Sequence, residues 1–167
     1  WWNYDSEGLL MAYGDRIGRQ VLVVRDAKAR ICGFQDHHTN QILWLKRDDA
    51  DRIIGAKDLE TGGREVKYDY DSTGRLILVT DFMGNATEYR YDSQGRLVHK
   101  RMPTGREVTL AYDGDGNISS VMDGKGWGKR FEYGYEAALG RYYASVQTPR
   151  GAIIERWFDA SGMELEY

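Results

Sequence analysis

A chain of 167 residues, 41% apolar and 13% aromatic, has enough material for one ordered domain or one stretch of a longer array, which excludes a disordered tail. Its net charge of −3, with lysines and arginines scattered, offers little general attraction to phosphate and argues against a nucleic-acid partner. No apolar run approaches the roughly 20 residues needed for a membrane-spanning helix, the lone Cys32 excludes an internal disulfide, and no cofactor signature is present.

Taken in chain order, the residues repeat. The chain opens Trp1-Trp2-Asn3, without methionine or a signal peptide, and reads as cut from a longer protein. Tyr4-Asp5 with Gly8-Leu9 comes first, then Asp15 and Gly18. Arg25-Asp26 with Arg30-Ile31 follows, then Asp36; Arg47-Asp48 with Arg52-Ile53 follows, then Asp58. The fullest copy is Tyr70-Asp71-Ser72-Thr73-Gly74-Arg75-Leu76, trailed by Asp81-Phe82-Met83-Gly84-Asn85. Tyr91-Asp92-Ser93-Gln94-Gly95-Arg96-Leu97 precedes Gly105, and a looser Tyr112-Asp113-Gly114-Asp115-Gly116-Asn117-Ile118 precedes Asp123 and Gly126. Tyr135-Glu136 and Phe158-Asp159 with Gly162 end the series. The anchors 4, 25, 47, 70, 91, 112, 135 and 158 are spaced by 21, 22, 23, 21, 21, 23 and 23, which predicts a single array of about eight units over 1–167.

Each unit carries two Asp-x-x-Gly turns about half a unit apart. Aspartate first and glycine fourth is a type I turn signature, the glycine being free to take positive φ. Before each anchor, alternate residues are apolar: Val66, Tyr68, Tyr70; Thr87, Tyr89, Tyr91; Val108, Leu110, Tyr112; Phe131, Tyr133, Tyr135. That period of two predicts strands with one buried and one wet face. After the turns the alternation is weaker. Leu76-Ile77-Leu78-Val79-Thr80 reads as buried on both faces, whereas Leu97-Val98-His99-Lys100-Arg101 does not, and a bulge there accounts for the break. The fold class is all-β: about sixteen short strands in an antiparallel meander, roughly 75 Å across if flat at ~4.8 Å per strand, forming one long curved sheet, an arc of a β-shell or open barrel.

Tyr70–Leu76 and Tyr91–Leu97, with the half-unit Asp81–Asn85 between them, resemble the YD repeat of the rearrangement-hotspot (Rhs) family, shared with teneurins and the shells of insecticidal toxin complexes. The motif residues are Tyr70, Asp71, Gly74, Arg75, Asp81, Gly84, Tyr91, Asp92, Gly95, Arg96, Tyr112, Asp113, Gly116, Asp123, Gly126 and Tyr135. The likeness weakens in the first third, where Arg25 and Arg47 stand for the tyrosine and Ala29 and Asp51 for the glycine. It weakens again after Tyr135, where Gly140 comes one residue late and Gly151 two late. The resemblance implies a secreted or cell-surface protein and a hollow shell that, in bacterial members, encloses a C-terminal toxin. The partners it implies are the rest of the parent shell or an encapsulated polypeptide. The self-cleaving Asp-Pro bond of such shells does not occur: Pro103 follows Met102 and Pro149 follows Thr148.

Candidate sites have plainer readings. Adjacent His37 and His38 point to opposite faces if in a strand and lack cysteine partners, so they read as turn residues and not zinc ligands. Asp113–Asn117 begins like a calcium loop, but Ile118 and Gly124 stand where that loop needs glycine and glutamate. Gly124-Lys125-Gly126-Trp127-Gly128 lacks the Gly-Lys-Ser/Thr and helix of a phosphate loop. Asp48, Asp49 and Asp51 fall in an exposed turn where they simply stay ionised. Cys32 reads as a small core residue. Tyr68, Tyr70, Tyr89, Tyr91, Tyr112, Tyr133 and Tyr135 are expected to stack as a ladder, a structural spine with hydroxyls reaching backbone or solvent.

The leading expectation is a non-enzymatic wall segment, prone to self-association through unpaired sheet edges. The alternatives are a glycan- or protein-binding module presenting Trp127 and Trp44, an antitoxin of similar hairpins, or an enzyme, for which no convergent residues are found.

Overall fold

The computed structural model describes residues 1–58 and 62–165. Among the described residues all regular structure is strand: β1 (Trp2–Tyr4), β2 (Leu10–Gly14), β3 (Gln20–Arg25), β4 (Ile31–Asp36), β5 (Ile42–Arg47), β6 (Ile53–Asp58), β7 (Glu65–Tyr70) and β8 (Leu76–Thr80). Then come β9 (Ala86–Tyr91), β10 (Leu97–Arg101), β11 (Glu107–Tyr112), β12 (Ile118–Asp123), β13 (Gly128–Glu136), β14 (Arg141–Gln147), β15 (Ile153–Phe158) and β16 (Glu164–Leu165). Strand order in the sheet is chain order from β1 to β16, so the connections are local hairpins, as the spacing of turn residues predicts. The chain divides into two compact units, Trp1–Ala86 and Thr87–Tyr167.

In the first unit, cross-strand partners sort the side chains by face. One face carries Tyr13 opposite Val21, Val23 opposite Phe34 and Phe34 opposite Leu43. It continues through Leu45, Ala56 and Val66, with Tyr68 opposite Val79. The other face mixes Gln35, Lys46, Lys57 and Lys67 with Leu22 and Trp44. There is little deep core: among the described residues only Ala12 and Val23 are buried apolar side chains, at 2% and 7% exposure. A single layer of strands covers neither of its faces, so its order rests on the backbone ladder and on contacts between neighbouring strands.

The second unit keeps the alternation in β11, where Val108, Leu110 and Tyr112 are half-buried and Thr109 and Ala111 exposed. It fades in β13: Tyr133 and Tyr135 are exposed although they sit at the apolar phase of the pattern. The nine-residue β13 pairs with β14 over seven positions without a shift.

The bulge expected in β10 is present, and it recurs. At each anchor from Tyr4 to Tyr112 whose pairing is described, the anchor faces the residue six later, and the next pair skips one. Tyr91 faces Leu97 while Arg90 faces His99, so Val98 is extra. Tyr70 faces Leu76 while Asp69 faces Leu78, so Ile77 is extra. The same shift singles out Met11, Cys32, Ile54 and Ser119. The described half-unit hairpins show no such shift. This corrects the reading of Leu76–Thr80 as buried on both faces: Ile77 is the bulge residue and is 37% exposed.

Candidate functional site

The repeated feature with the most side-chain chemistry is the anchor turn, and Asp71–Arg75 shows it in full. Gly74 N–H donates to the Asp71 carbonyl at 3.0 Å, and Asp71 N–H donates to the Arg75 carbonyl at 2.9 Å. Asp71 Oδ1 accepts the amides of Thr73 and Arg75, both at 2.9 Å, and Oδ2 accepts Arg75 Nε at 2.7 Å. The carboxylate thus closes its own turn, and a turn of this curvature needs Gly74 at φ 84°. Asp26, Asp48 and Asp92 repeat the bond to the arginine four residues on, each Nε–Oδ2 distance being 2.8 Å.

These bonds set the acidity. Side-chain donation from Arg30 is the largest influence on Asp26 and lowers its pKa to about 2. Side-chain donation from Arg52 likewise leads in lowering Asp48, and the backbone amides of Arg75 and Arg96 lead in holding Asp71 and Asp92 below the usual range. A carboxylate fixed this way is a structural acceptor, not a proton shuttle. Asp113 also titrates low: burial pushes it up but is outweighed by bonds from Asn117. Its Oδ1 is occupied by the amides of Asp115 and Asn117 and its Oδ2 by Asn117 Nδ2, which makes Asp113–Asn117 a turn. Gly124–Gly128 is likewise a turn, closed by Lys125 and Trp127 amides on Asp123 Oδ1.

The anchor side chain reaches across to the preceding turn. Tyr70 hydroxyl donates to the Ile53 carbonyl at 2.7 Å, and Tyr112 hydroxyl donates to the Leu97 carbonyl at 2.8 Å. The acceptor is in each case the residue facing the previous anchor, next to the bulge. Where arginine replaces tyrosine it reaches the equivalent atom: Arg25 Nη2 to the Leu10 carbonyl at 3.2 Å and Arg47 Nη2 to the Ile31 carbonyl at 3.0 Å. Their Nη1 atoms also donate to the carbonyls of Ala29 and Asp51, at 2.7 and 2.8 Å. Tyrosine and arginine are therefore alternative donors at one position.

The turn arginine completes the clasp. Arg52 lies over the Tyr70 ring, 4.9 Å from its centre, and Arg96 over the Tyr112 ring at 4.4 Å. Where the next anchor is Arg47, a stacked arginine would meet a like charge. There Arg30 bonds Asp51 at 2.5 Å, and Asp51 also lies 3.6 Å from Arg47. Asp51 holds φ 66° where most anchor turns have glycine, and its two ion pairs are the compensation for that backbone.

Several expectations are revised. The anchor rings of Tyr70 and Tyr112 meet arginine, not another tyrosine, because anchors lie two strands apart; Tyr135 does meet a tyrosine, Tyr142, with ring centres 4.7 Å apart and planes tilted by 44°. Asp48 and Asp51 are held by arginine instead of standing free. Trp44 is half-buried, its ring lying over Gly33, whereas Trp127 is 60% exposed. His37 and His38 lie in the turn after Asp36, and half-buried Cys32 is the bulge residue of β4. Among the described residues no three His, Cys, Asp or Glu side chains are grouped as for a metal ion. The residues that the sequence did not single out are the carbonyl acceptors Leu10, Ile31, Ile53 and Leu97. Their signal was the fixed spacing of six from each anchor.

Residues 2–167 match the family described as Teneurin YD-shell. No curated protein matches the chain. Among solved structures, the crystal structure of TcdB2-TccC3-Cdc42 is similar with a TM-score of 0.57 at 17% identity, over 86% of this chain and 9% of that one. The Tc holotoxin pore of Photorhabdus luminescens with a TccC3 mutation gives 0.54 at 14% identity, over 95% and 11%. The crystal structure of TcdB2-TccC3-TEV gives 0.56 at 15% identity, over 98% and 11%. At these identities the likeness is one of fold, and the chain spans about a tenth of each of those proteins.

Proposed function

The chain belongs to the teneurin YD-shell family, and from that premise we propose that it is one array of about eight repeats forming a stretch of shell wall in a secreted, toxin-type protein. The clasp carries this reading. Its aspartates, arginines and anchor side chains are used to lock turn to turn, an economy suited to a passive barrier and not to turnover. A wall of this kind isolates an enclosed polypeptide through a continuous backbone ladder, with no catalytic step. Its partners are the remainder of the parent shell and the enclosed chain. On its own it would pair through the edge strands β1 and β16.

Electron cryomicroscopy of the parent protein tests the proposal. The expected result is these residues as consecutive hairpins of a closed wall with polypeptide density inside. Finding them as an appended module with solvent on both faces would overturn it. Sedimentation of the isolated chain checks the edge pairing, which a monomer at high concentration would refute.

A further inference from the structure

Two half-unit turns share an arrangement from which the turn at Asp123 departs. Four residues after the turn aspartate, Asn85 returns its side chain to Asp81 Oδ2 at 2.9 Å, and Arg19 approaches Asp15 Oδ2 at 3.8 Å. Trp127 holds the same place after Asp123 and is 60% exposed, with its backbone alone serving the turn. It stands in a cleft of about 220 Å³ in the second compact unit, beside Arg130, Gln147 and Pro149. Arg130 and Gln147 are cross-strand partners on β13 and β14, both exposed. Among the described residues, neither side chain has a hydrogen-bond or ion-pair partner. A guanidinium, an amide and an exposed indole with no side-chain partners therefore line one cleft.

The cleft is also stiff. Gly128 forms part of its wall because a Cβ there would fall 1.9 Å from the Val121 carbonyl oxygen, so β13 can approach β12 only as glycine. Pro149 fixes the opposite rim, in a turn where Gly151 N–H donates to the Thr148 carbonyl at 2.9 Å.

We infer that this cleft binds one acidic sugar residue of a glycan. The indole supplies a flat apolar surface for the C–H face of a pyranose ring. The Arg130 fork matches a carboxylate in bidentate geometry. The Gln147 amide offers a donor and an acceptor to ring hydroxyls. The volume is below the ~300 Å³ at which drug-sized pockets begin, which suits a single ring with the rest of the glycan in solvent. The site is independent of the shell reading, since it depends on residues outside the clasp.

Titration calorimetry on the full chain tests this with three probes. They are a hexasaccharide of alternating glucuronic acid and N-acetylglucosamine, neutral maltohexaose, and a proline-rich peptide. The acidic hexasaccharide should bind saturably and more tightly than maltohexaose. Trp127→Ala should abolish that binding. Arg130→Gln should weaken it about tenfold or more, the loss of one charged hydrogen-bonding partner, while leaving any maltohexaose binding unchanged. Trp2→Ala, at another exposed tryptophan (65% exposed), should bind like the parent. No saturable binding of the acidic hexasaccharide, equal affinity for maltohexaose, tighter binding of the peptide, or unchanged binding by Trp127→Ala would each overturn the inference. All three substituted side chains are exposed, and a circular-dichroism spectrum matching the parent establishes that the variants are folded.

Discussion

Replacing Tyr70 by arginine imports the solution found at Arg47 into a setting built for tyrosine. Tyr70→Phe removes only the hydroxyl bond to Ile53 and should cost about 1 kcal/mol, within the usual 0.5–1.5 for a hydrogen bond. Tyr70→Arg offers the carbonyl a new donor, as Arg47 does for Ile31. It forfeits the stacking of Arg52, worth about 0.5–1 kcal/mol, and sets two guanidinium groups side by side. Two charges ~5 Å apart at an effective dielectric of about 20 repel by roughly 3 kcal/mol, which surface screening reduces to ~1 kcal/mol. The single variant should therefore lose about 2 kcal/mol. Gly74→Asp alone should lose about 1 kcal/mol, because Gly74 sits at φ 84°. Together they should lose less than the sum by about 0.5–1 kcal/mol, since the new aspartate serves both arginines as Asp51 serves Arg30 and Arg47. Urea unfolding of the four proteins at low salt measures the coupling, provided the slopes agree. An additive double variant, or a coupling that does not shrink in high salt, would refute the clasp as the reason for the Arg–Asp pairing.

Other consequences can be checked with similar ease. Ala29→Gly should raise stability by about 0.5–1 kcal/mol by relieving φ 61°, whereas Asp51→Gly should not, since it also removes two ion pairs; urea midpoints separate them. The low pKa values of Asp26, Asp48, Asp71 and Asp92 mean that the folded state binds fewer protons than the unfolded state. The stability they add is present above the ordinary 3.8 and lost as pH falls through the folded values, about 2 for Asp26. Melting temperatures from pH 5 to 2 should fall, and Asp71→Asn should flatten that fall; identical slopes for both proteins would count against it. Gly128→Ala should cost more than Gly134→Ala. The added methyl meets the Val121 backbone in the first case and in the second the Tyr143 ring, which can turn aside; thermal melts decide the order.

The fold was legible because its determinants are local. A turn aspartate, a glycine at fixed spacing and a period of two between them specify each hairpin without knowledge of the rest, and even the bulge showed as lost alternation at Leu97–Lys100. The clasp was only half legible. Tyr70 and Tyr112 stood out by type, but Arg25 and Arg47 looked like decay of the motif, because a residue name does not reveal that a phenol and a guanidinium reach the same carbonyl. Asp51 at a glycine position looked like a second defect. The two departures explain one another only once Arg30 is seen between them. Burial was the least legible quantity: Trp44, Ile77 and Tyr133 have similar apolar character, and their exposure depends on a facing glycine, a bulge and an uncovered face.

Because the anchor side chains of Arg25, Arg47, Tyr70 and Tyr112 each cap a carbonyl belonging to the turn before, that part of the array has a direction. A hairpin newly emerged from synthesis is left with an open acceptor until its successor arrives to fill it. Growth from the N-terminal end thus lets each hairpin with such an acceptor be secured by the next one made, so that the order of translation can also serve as the order of assembly.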